Sequence, residues 1–210
     1  MNIHGSTVLV VVDFQGGPLD GPMSQDDPFD IPAQRDRAVA MVDAARAKGV
    51  PVVWIQEVHK PHLIDIGREL DGSEGPHCIE GNRYTELAAG LEPLDEEFHI
   101  RKRRYSAFFG TELEIVLRAF KAETLVLIGG FTDICILYTA VDAHQRDLHL
   151  NVVTDVVMGS SLQAHDDALD MIAYLQSRAL VTSEETMQWL GSLPDVEESL
   201  APSPAPAATA

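Results

Sequence analysis

The chain is poor in cysteine and poor in positive charge, and each scarcity closes off a class of protein. Two cysteines, Cys78 and Cys135, in 210 residues cannot build a disulfide framework, and free thiols fit a reducing compartment. Fifteen Lys and Arg stand against 33 Asp and Glu, a net charge of −18. So acidic a surface repels nucleic acid and anionic membranes. Long apolar runs are missing too. The stretch Val8 to Val12 is too short for a signal segment, has no basic region before it, and nothing else approaches a bilayer span. No internal repeat is visible. What remains is a cytoplasmic protein whose partner is a small molecule. At 45% hydrophobic residues the chain can bury one core, expected over residues 1–192. Residues 193–210, rich in Pro and Ala, read as a flexible tail.

Strand-like and helix-like patterns alternate along that core. Thr7 to Val12 and Val50 to Ile55 are continuously apolar and β-branched, as strands buried on both faces are. Glu97 to Ile100, Leu125 to Ile128, Leu148 to Val153 and Leu180 to Thr182 read as further strands. Helices are expected from Ile31-Pro32 to about Lys48 with Gly49 closing it, from Arg83 to Leu91, from Thr111 in a capping box with Glu114, from Cys135 to Arg146, from Ser161 to Tyr174, and from Ser183 to about Leu190. The alternation predicts a parallel sheet with helices on both faces.

In such a sheet ligands bind beyond the carboxyl ends of the strands, and three reactive groups fall there. Asp13 ends the first strand. Lys102 lies in Arg101-Lys102-Arg103-Arg104, four cations that read either as a solvated edge or as a segment turning one cation inward beside Asp13. Cys135 follows Gly129-Gly130-Phe131-Thr132-Asp133-Ile134 at a helix start. It reads either as a core cysteine or as a nucleophile whose thiolate is favoured by the helix N-terminus and a nearby lysine. An Asp and a Lys beside a Cys suffice for acyl transfer without a histidine. His144 lies well past the first turn and reads as a packing or surface residue. Between Glu57 and Gly81 the chain gathers Glu57, His59, His62, Glu69, Asp71, His77 and Cys78. Their spacing matches no closed zinc motif, yet Glu57, His59, His62 and His77 remain an alternative divalent-metal set.

Three segments resemble the isochorismatase-like superfamily of cysteine hydrolases, which includes nicotinamidases, N-carbamoylsarcosine amidohydrolase, and biuret and ureidoacrylate hydrolases. Val10-Val11-Val12-Asp13-Phe14-Gln15 resembles its base-aspartate strand. Lys102-Arg103-Arg104-Tyr105-Ser106-Ala107-Phe108 resembles its lysine segment. Gly129 to Cys135, with Thr139, Asp142 and Ala143 behind it, resembles its nucleophile motif. The resemblance runs from about Val8 to Leu190. It implies a three-layer α/β/α, Rossmann-like fold with six parallel strands. It also implies Cys135 as nucleophile, Asp13 as general base and acid, and Lys102 as their electrostatic partner. A cis peptide between Gly130 and Phe131 would aim the Phe131 and Cys135 N–H groups at an oxyanion. Phe14, Gln15, Tyr105, Phe108 and Ile134 would line the substrate pocket, and dimers or tetramers are usual. The implied activity is hydrolysis of the C–N bond of a small amide, ureide or lactam without a cofactor, with Arg68 and Arg104 as candidate binders of a substrate carboxylate or ureido oxygen. Glu57-x-His59, His62 and His77-Cys78 echo the metal cluster of nicotinamidases, with Glu in place of Asp, so a metal-assisted nicotinamidase is one alternative. An isochorismatase-type hydrolase and a catalytically idle binding protein are the others.

Overall fold

Residues 1–17, 28–72 and 74–196 are described by a computed structural model. Six parallel strands form one sheet in the order β3-β2-β1-β4-β5-β6. They are β1 (Ser6–Val12), β2 (Val52–Glu57), β3 (Phe98–Lys102), β4 (Ala122–Gly130), β5 (His149–Met158) and β6 (Leu180–Val181). The helices are α1 (Ile31–Ala47), α2 (Leu113–Ala119), α3 (Leu137–His144), α4 (Leu162–Leu175) and α5 (Ser183–Ser192). Alternate side chains of the central strands leave by opposite faces. Val8, Val10, Val12, Leu125 and Leu127 pack with Leu113, Leu117, Ala140 and Ile172 of α2, α3 and α4. Leu9, Val11, Trp54, Val126 and Ile128 pack with Ala38, Met41, Val42 and Leu190 of α1 and α5. Both faces are therefore covered, which is why the strands read as unbroken apolar runs. Among the described residues no helix is long and apolar enough to cross a membrane.

The chain builds outward from β1 to β2 and β3, then returns to start β4 on the other side of β1. This is a topological switch point, and it opens a crevice above the carboxyl ends of β1 and β4. β1 and β4 run in register, with Val12 opposite Gly129, and Glu57 stands opposite Lys102 on β2 and β3. Four strand ends thus meet side by side.

Several elements differ from expectation. Arg83 to Leu91 forms turns rather than a helix. Its backbone is taken by the segment after β1: Gln15 bridges Leu87, Gly16 and Gly17 N–H donate to Glu86 O, and Ala88 N–H donates to Phe14 O. Gly17, at φ +54°, permits the approach, since a Cβ there would lie 2.2 Å from Arg83 O. The expected Thr111/Glu114 capping box does not form. Glu112 is the N-cap, the Thr111 hydroxyl donates to Ala107 O at 2.5 Å, and Glu114 pairs with Arg118 and Arg146. The capping box that does form is Thr182 with Glu185 at α5. The segment after Phe131 is one π-helical turn, Thr132–Ile136, before α3 begins. β5 runs past Val153 because Asp155 is satisfied by Ser183 N–H and Oγ–H at 2.7 and 2.5 Å, which lets the apolar Val156 and Val157 rejoin the core. Residues 18–27, between β1 and α1, lie outside the described residues, as do 197–210 of the expected tail.

Candidate active site

β1 ends by turning Asp13 into the left-handed region at φ +47°, a conformation Asp tolerates better than most residues. The turn leaves one carboxylate oxygen accepting from Glu57 N–H at 2.7 Å and the other 2.8 Å from the Lys102 ammonium. Lys102 is the one cation of its run that turns inward; its side chain is fully buried. Arg101 and Arg103 turn out to Glu80 and Asp65, and Arg104 donates to Asp65 O at 2.7 Å. Lys102 Nζ also contacts Glu57 Oε2 and donates to Cys135 Sγ at 3.3 Å. β4 reaches the same point through Gly129, at φ +124°, where a Cβ would lie 1.8 Å from Val12 O. The Gly130–Phe131 peptide is cis. The π turn then carries buried Cys135 over the strand ends. Three bonds from outside hold that turn. Thr132 Oγ1 meets His165 Nδ1 of α4 at 2.8 Å, and Asp133 accepts from Ser160 N–H and Oγ–H at 2.8 and 2.6 Å.

Charge around the thiol differs from the expectation of a lowered pKa. Burial first, then the Asp13 and Glu57 carboxylates, hold the Cys135 thiol well above its ordinary range, outweighing Lys102. The resting group is the thiol, and forming the thiolate requires a base at hand. Burial pushes the Asp13 carboxyl up to about 6, against the pull of Lys102. Burial also pushes Glu57 up, but hydrogen bonds with His59 and His77 and the Lys102 charge together hold it well below the carboxylate range. Lys102 is disfavoured by burial, yet Asp13, Cys135 and Glu57 raise it well above 10.5. An oxygen of Asp13, one of Glu57 and Cys135 Sγ all lie within 4.8 Å of one another. Of two carboxylates beside the thiol, Asp13 is the one that exchanges a proton near neutrality, and Glu57 stays ionised.

These groups open into a cavity of about 480 Å³ lined by Asp13, Gln15, Glu57, Glu74, His77, Cys78, Tyr84, Tyr105, Gly130, Phe131, Ile134, Cys135 and Met158 among others. Gln15, Tyr105 and Ile134 of the expected pocket residues line it, and so do Gly130 and Phe131. The Gln15 amide, however, is engaged by Glu57 O, Thr85 O and Glu57 N–H, so it braces the strand ends. Phe14 does not line the cavity: it is 1% exposed and packs under α1, because the turn at Asp13 sends consecutive side chains to opposite sides. Phe108 does not line it either; it is core, with the Arg146 guanidinium over its ring at 4.6 Å. Arg68 and Arg104 line a second cavity of about 410 Å³ that shares Tyr105. His144 is half-buried beside the Gln176 amide, away from Cys135.

The histidines of the 57–81 segment also sort themselves. His59, Glu69 and His77 join Glu57 in a group whose ligand atoms all lie within 4.8 Å of one another. His62 is exposed and takes no part. Glu69, from the 3₁₀ turn Gly67–Asp71, occupies the fourth place. His77 rises to about 10, chiefly through Glu57 and Glu69, and His59 rises despite burial for the same reason. Both Glu69 oxygens are buried without an aligned hydrogen-bond donor, although His59 Nε2 lies 3.2 Å from Oε2. Two imidazoles and two carboxylates converging with an unsatisfied oxygen pair fit a divalent cation. Sequence reasoning missed three things here: Glu57 touching the thiol side, Glu69 as a cluster member, and the Thr132–His165 brace. Glu57 at the end of the second strand, as Asp13 is at the end of the first, was the available signal for the first.

Comparison with known proteins agrees with this architecture. Ureidoacrylate amidohydrolase RutB of Methylorubrum extorquens is 30% identical over 222 residues, covering 93% of this chain and 83% of that protein. The structure of N-carbamoylsarcosine amidase from Thermoplasma acidophilum superposes with a TM-score of 0.72 at 27% identity, covering 86% and 98% of the two chains. That of nicotinamidase PncA from Bacillus subtilis superposes with a TM-score of 0.71 at 26% identity, covering 85% and 100%. The model of the isochorismatase domain matches residues 7–186, and the chain belongs to the isochorismatase family of hydrolases.

Proposed function

We propose that the protein is a cysteine amidohydrolase that cleaves the C–N bond of a small amide, ureide or lactam through a thioester at Cys135. The observation that carries this reading is the Cys135 thiol lying against a titratable Asp13 and a buried Lys102 on the floor of a cavity sized for a small molecule. Asp13 takes the thiol proton as sulfur attacks the carbonyl carbon. The oxyanion is received by the Phe131 and Cys135 N–H groups. Asp13 returns the proton to the departing nitrogen, releasing ammonia or an amine. It then removes a proton from water, whose oxygen attacks the thioester and frees the acid and the thiol. Lys102 keeps Asp13 oriented and offsets the negative charge that appears on sulfur. The names of the relatives support amide chemistry: a ureidoacrylate amidohydrolase, an N-carbamoylsarcosine amidase and a nicotinamidase.

A second reading adds a metal. Glu57, His59, Glu69 and His77 would hold a divalent ion at the cavity wall. Such an ion would supply Lewis-acid polarisation or an anchor for a substrate heteroatom. A homo-oligomer, dimer or tetramer, is also inferred, since Phe109, Tyr138, Met171 and Tyr174 are exposed at 65%, 49%, 56% and 90%. The deciding experiment is ammonia release from nicotinamide, N-carbamoyl amino acids, biuret, ureidoacrylate analogues and lactams. Wild type and Cys135→Ala are compared, each with and without chelator. Activity that requires Cys135 and ignores chelator fits the metal-free enzyme, and activity lost to chelator fits the metal-assisted one. Activity retained in Cys135→Ala refutes the nucleophile assignment.

A further inference from the structure

We propose that the cavity selects amides whose far end carries a positive charge, and that Glu74 sets this preference. The inference rests on the amidohydrolase reading for its substrates, but not for its charge selectivity. Among the described residues no Lys or Arg lines the cavity, whereas the Glu74 carboxylate stands at its rim, 31% exposed, accepting from the Tyr105 hydroxyl at 3.2 Å. The remaining residues of the chain, 18–27, 73 and 197–210, contain no Lys or Arg either, so no other loop of this chain can bring one in. The nearby cations are already engaged, Arg83 by the Tyr84 ring at 4.9 Å and the Tyr84 hydroxyl at 3.3 Å. Lys102 lies between Asp13 and Glu57, and His77 Nε2 is 3.1 Å from Glu57 and 3.6 Å from both Glu69 and Glu74. Arg68 pairs with Asp71 at 2.8 Å, Arg104 is tied to the Asp65 carbonyl, and both face the neighbouring cavity.

The walls suit a cation as well. Tyr84 and Phe131 are 47% and 46% exposed at the cavity, and aromatic faces attract ammonium groups. Tyr84 already carries the Arg83 guanidinium over its ring at 4.9 Å, which leaves Phe131 and the edge of Tyr105 for the guest. A guest carboxylate would give up water opposite Glu74 without gaining a cation. A guest ammonium gains a charge-assisted bond to Glu74.

Charge selectivity is read without turnover by modifying Cys135 with methanethiosulfonates of similar size: aminoethyl (cationic), methyl (neutral) and sulfonatoethyl (anionic). Rates are followed by mass spectrometry of the Cys135 peptide and divided by each reagent's rate with a small free thiol. The cationic reagent is expected to lead the anionic one. Glu74→Gln should shrink that ratio roughly tenfold, as expected for one partly screened charge, and Glu74→Lys should shrink it further or invert it. Ratios unchanged by both substitutions overturn the proposal. A parallel series of primary amides ending in ammonium, methyl or carboxylate is then compared by kcat/KM. If none is hydrolysed but the Glu74-dependent order of thiol modification holds, the amidase reading fails and the selectivity stands. If the carboxylate-ended amide is the best substrate, indifferent to Glu74→Gln and lost in Arg104→Ala, the selectivity fails and the amidase reading stands.

Discussion

Lys102→Met removes one charge, keeps most of the volume, and tests the whole floor of the site. The ammonium is fully buried, 2.8 Å from Asp13, in contact with Glu57 and 3.3 Å from Cys135 Sγ. Its loss leaves two buried carboxylates facing each other. Removing one partner of a buried ion pair costs about 3–5 kcal/mol. For a chain of this size each kcal/mol moves Tm by about 2–4 °C, so a drop of roughly 6–20 °C is expected at pH 8. The pH dependence gives the sharper signature. Asp13 already sits at about 6 against 3.8 for the free group. Without Lys102 it rises further, and the folded state then binds a proton that the unfolded state lacks. The deficit should therefore shrink as pH falls toward 5. Lys60→Ala is the control. It breaks a 2.7 Å pair with Glu80 whose lysine is 46% exposed, worth at most about 1 kcal/mol. Thermal melts at pH 5 and 8 and single-turnover thioester formation are the assays. Acylation should slow at least about a hundredfold in Lys102→Met, a typical contribution of positioned acid–base chemistry, and stay unchanged in Lys60→Ala. A melt within 1 kcal/mol of wild type at pH 8, or a deficit that widens toward pH 5, refutes the reasoning.

In the proposed mechanism Asp13 must be ionised to take the thiol proton, so kcat/KM should fall as pH drops through about 6. Protonating Asp13 there favours the folded state, so the far-ultraviolet circular dichroism should hold steady across the same window, and a parallel loss of signal would mean unfolding instead. Protein purified without chelator should carry a divalent metal in the second reading. Glu69→Gln should lose it by tenfold or more in affinity, measured by elemental analysis after dialysis against known free metal, and equal metal content in both proteins excludes Glu69 as a ligand. His165→Ala removes the 2.8 Å brace on Thr132. It should lower kcat severalfold with KM nearly unchanged at a cost of about 1–2 kcal/mol in stability, with partial recovery in His165→Asn; a fall confined to KM would place His165 at the substrate instead.

Much of this was legible because strand ends are punctuated by chemistry. The apolar run closing on Asp13 marks where β1 leaves the core, the run of cations after Ile100 marks the end of β3, and the two glycines before Cys135 mark a tight turn. What stayed hidden depends on contacts between distant segments. Arg83 to Leu91 carries a helical pattern, yet its backbone is bound by Gly16 and Gly17, and local propensity cannot register that competition. Phe14 and Phe108 belong to the right motifs but point into the two cores; for Phe14 the reason is the left-handed residue just before it, Asp13, which resets the alternation. Glu69 lies twelve residues from Glu57 in a segment with no regular period, so no spacing rule could pair them.

Glu57 is where the two halves of the site meet. Its Oε1 lies 3.1 Å from both His59 and His77, while its Oε2 contacts Lys102 and lies 3.6 Å from Cys135 Sγ. A single carboxylate therefore divides its negative charge between the imidazole cluster and the thiol. Positive charge drawn to Oε1, whether protons on the imidazoles or a cation among them, weakens the hold of Oε2 on the ammonium. Lys102 is then freer to favour Asp13 and the sulfur. That sharing explains why a glutamate suits a strand end where an aspartate would also present a carboxylate: the extra methylene lets both oxygens clear β2 and face different partners. It also means that substitutions in the imidazole cluster should not be read as binding effects alone, because each alters the charge that the neighbours of Cys135 feel.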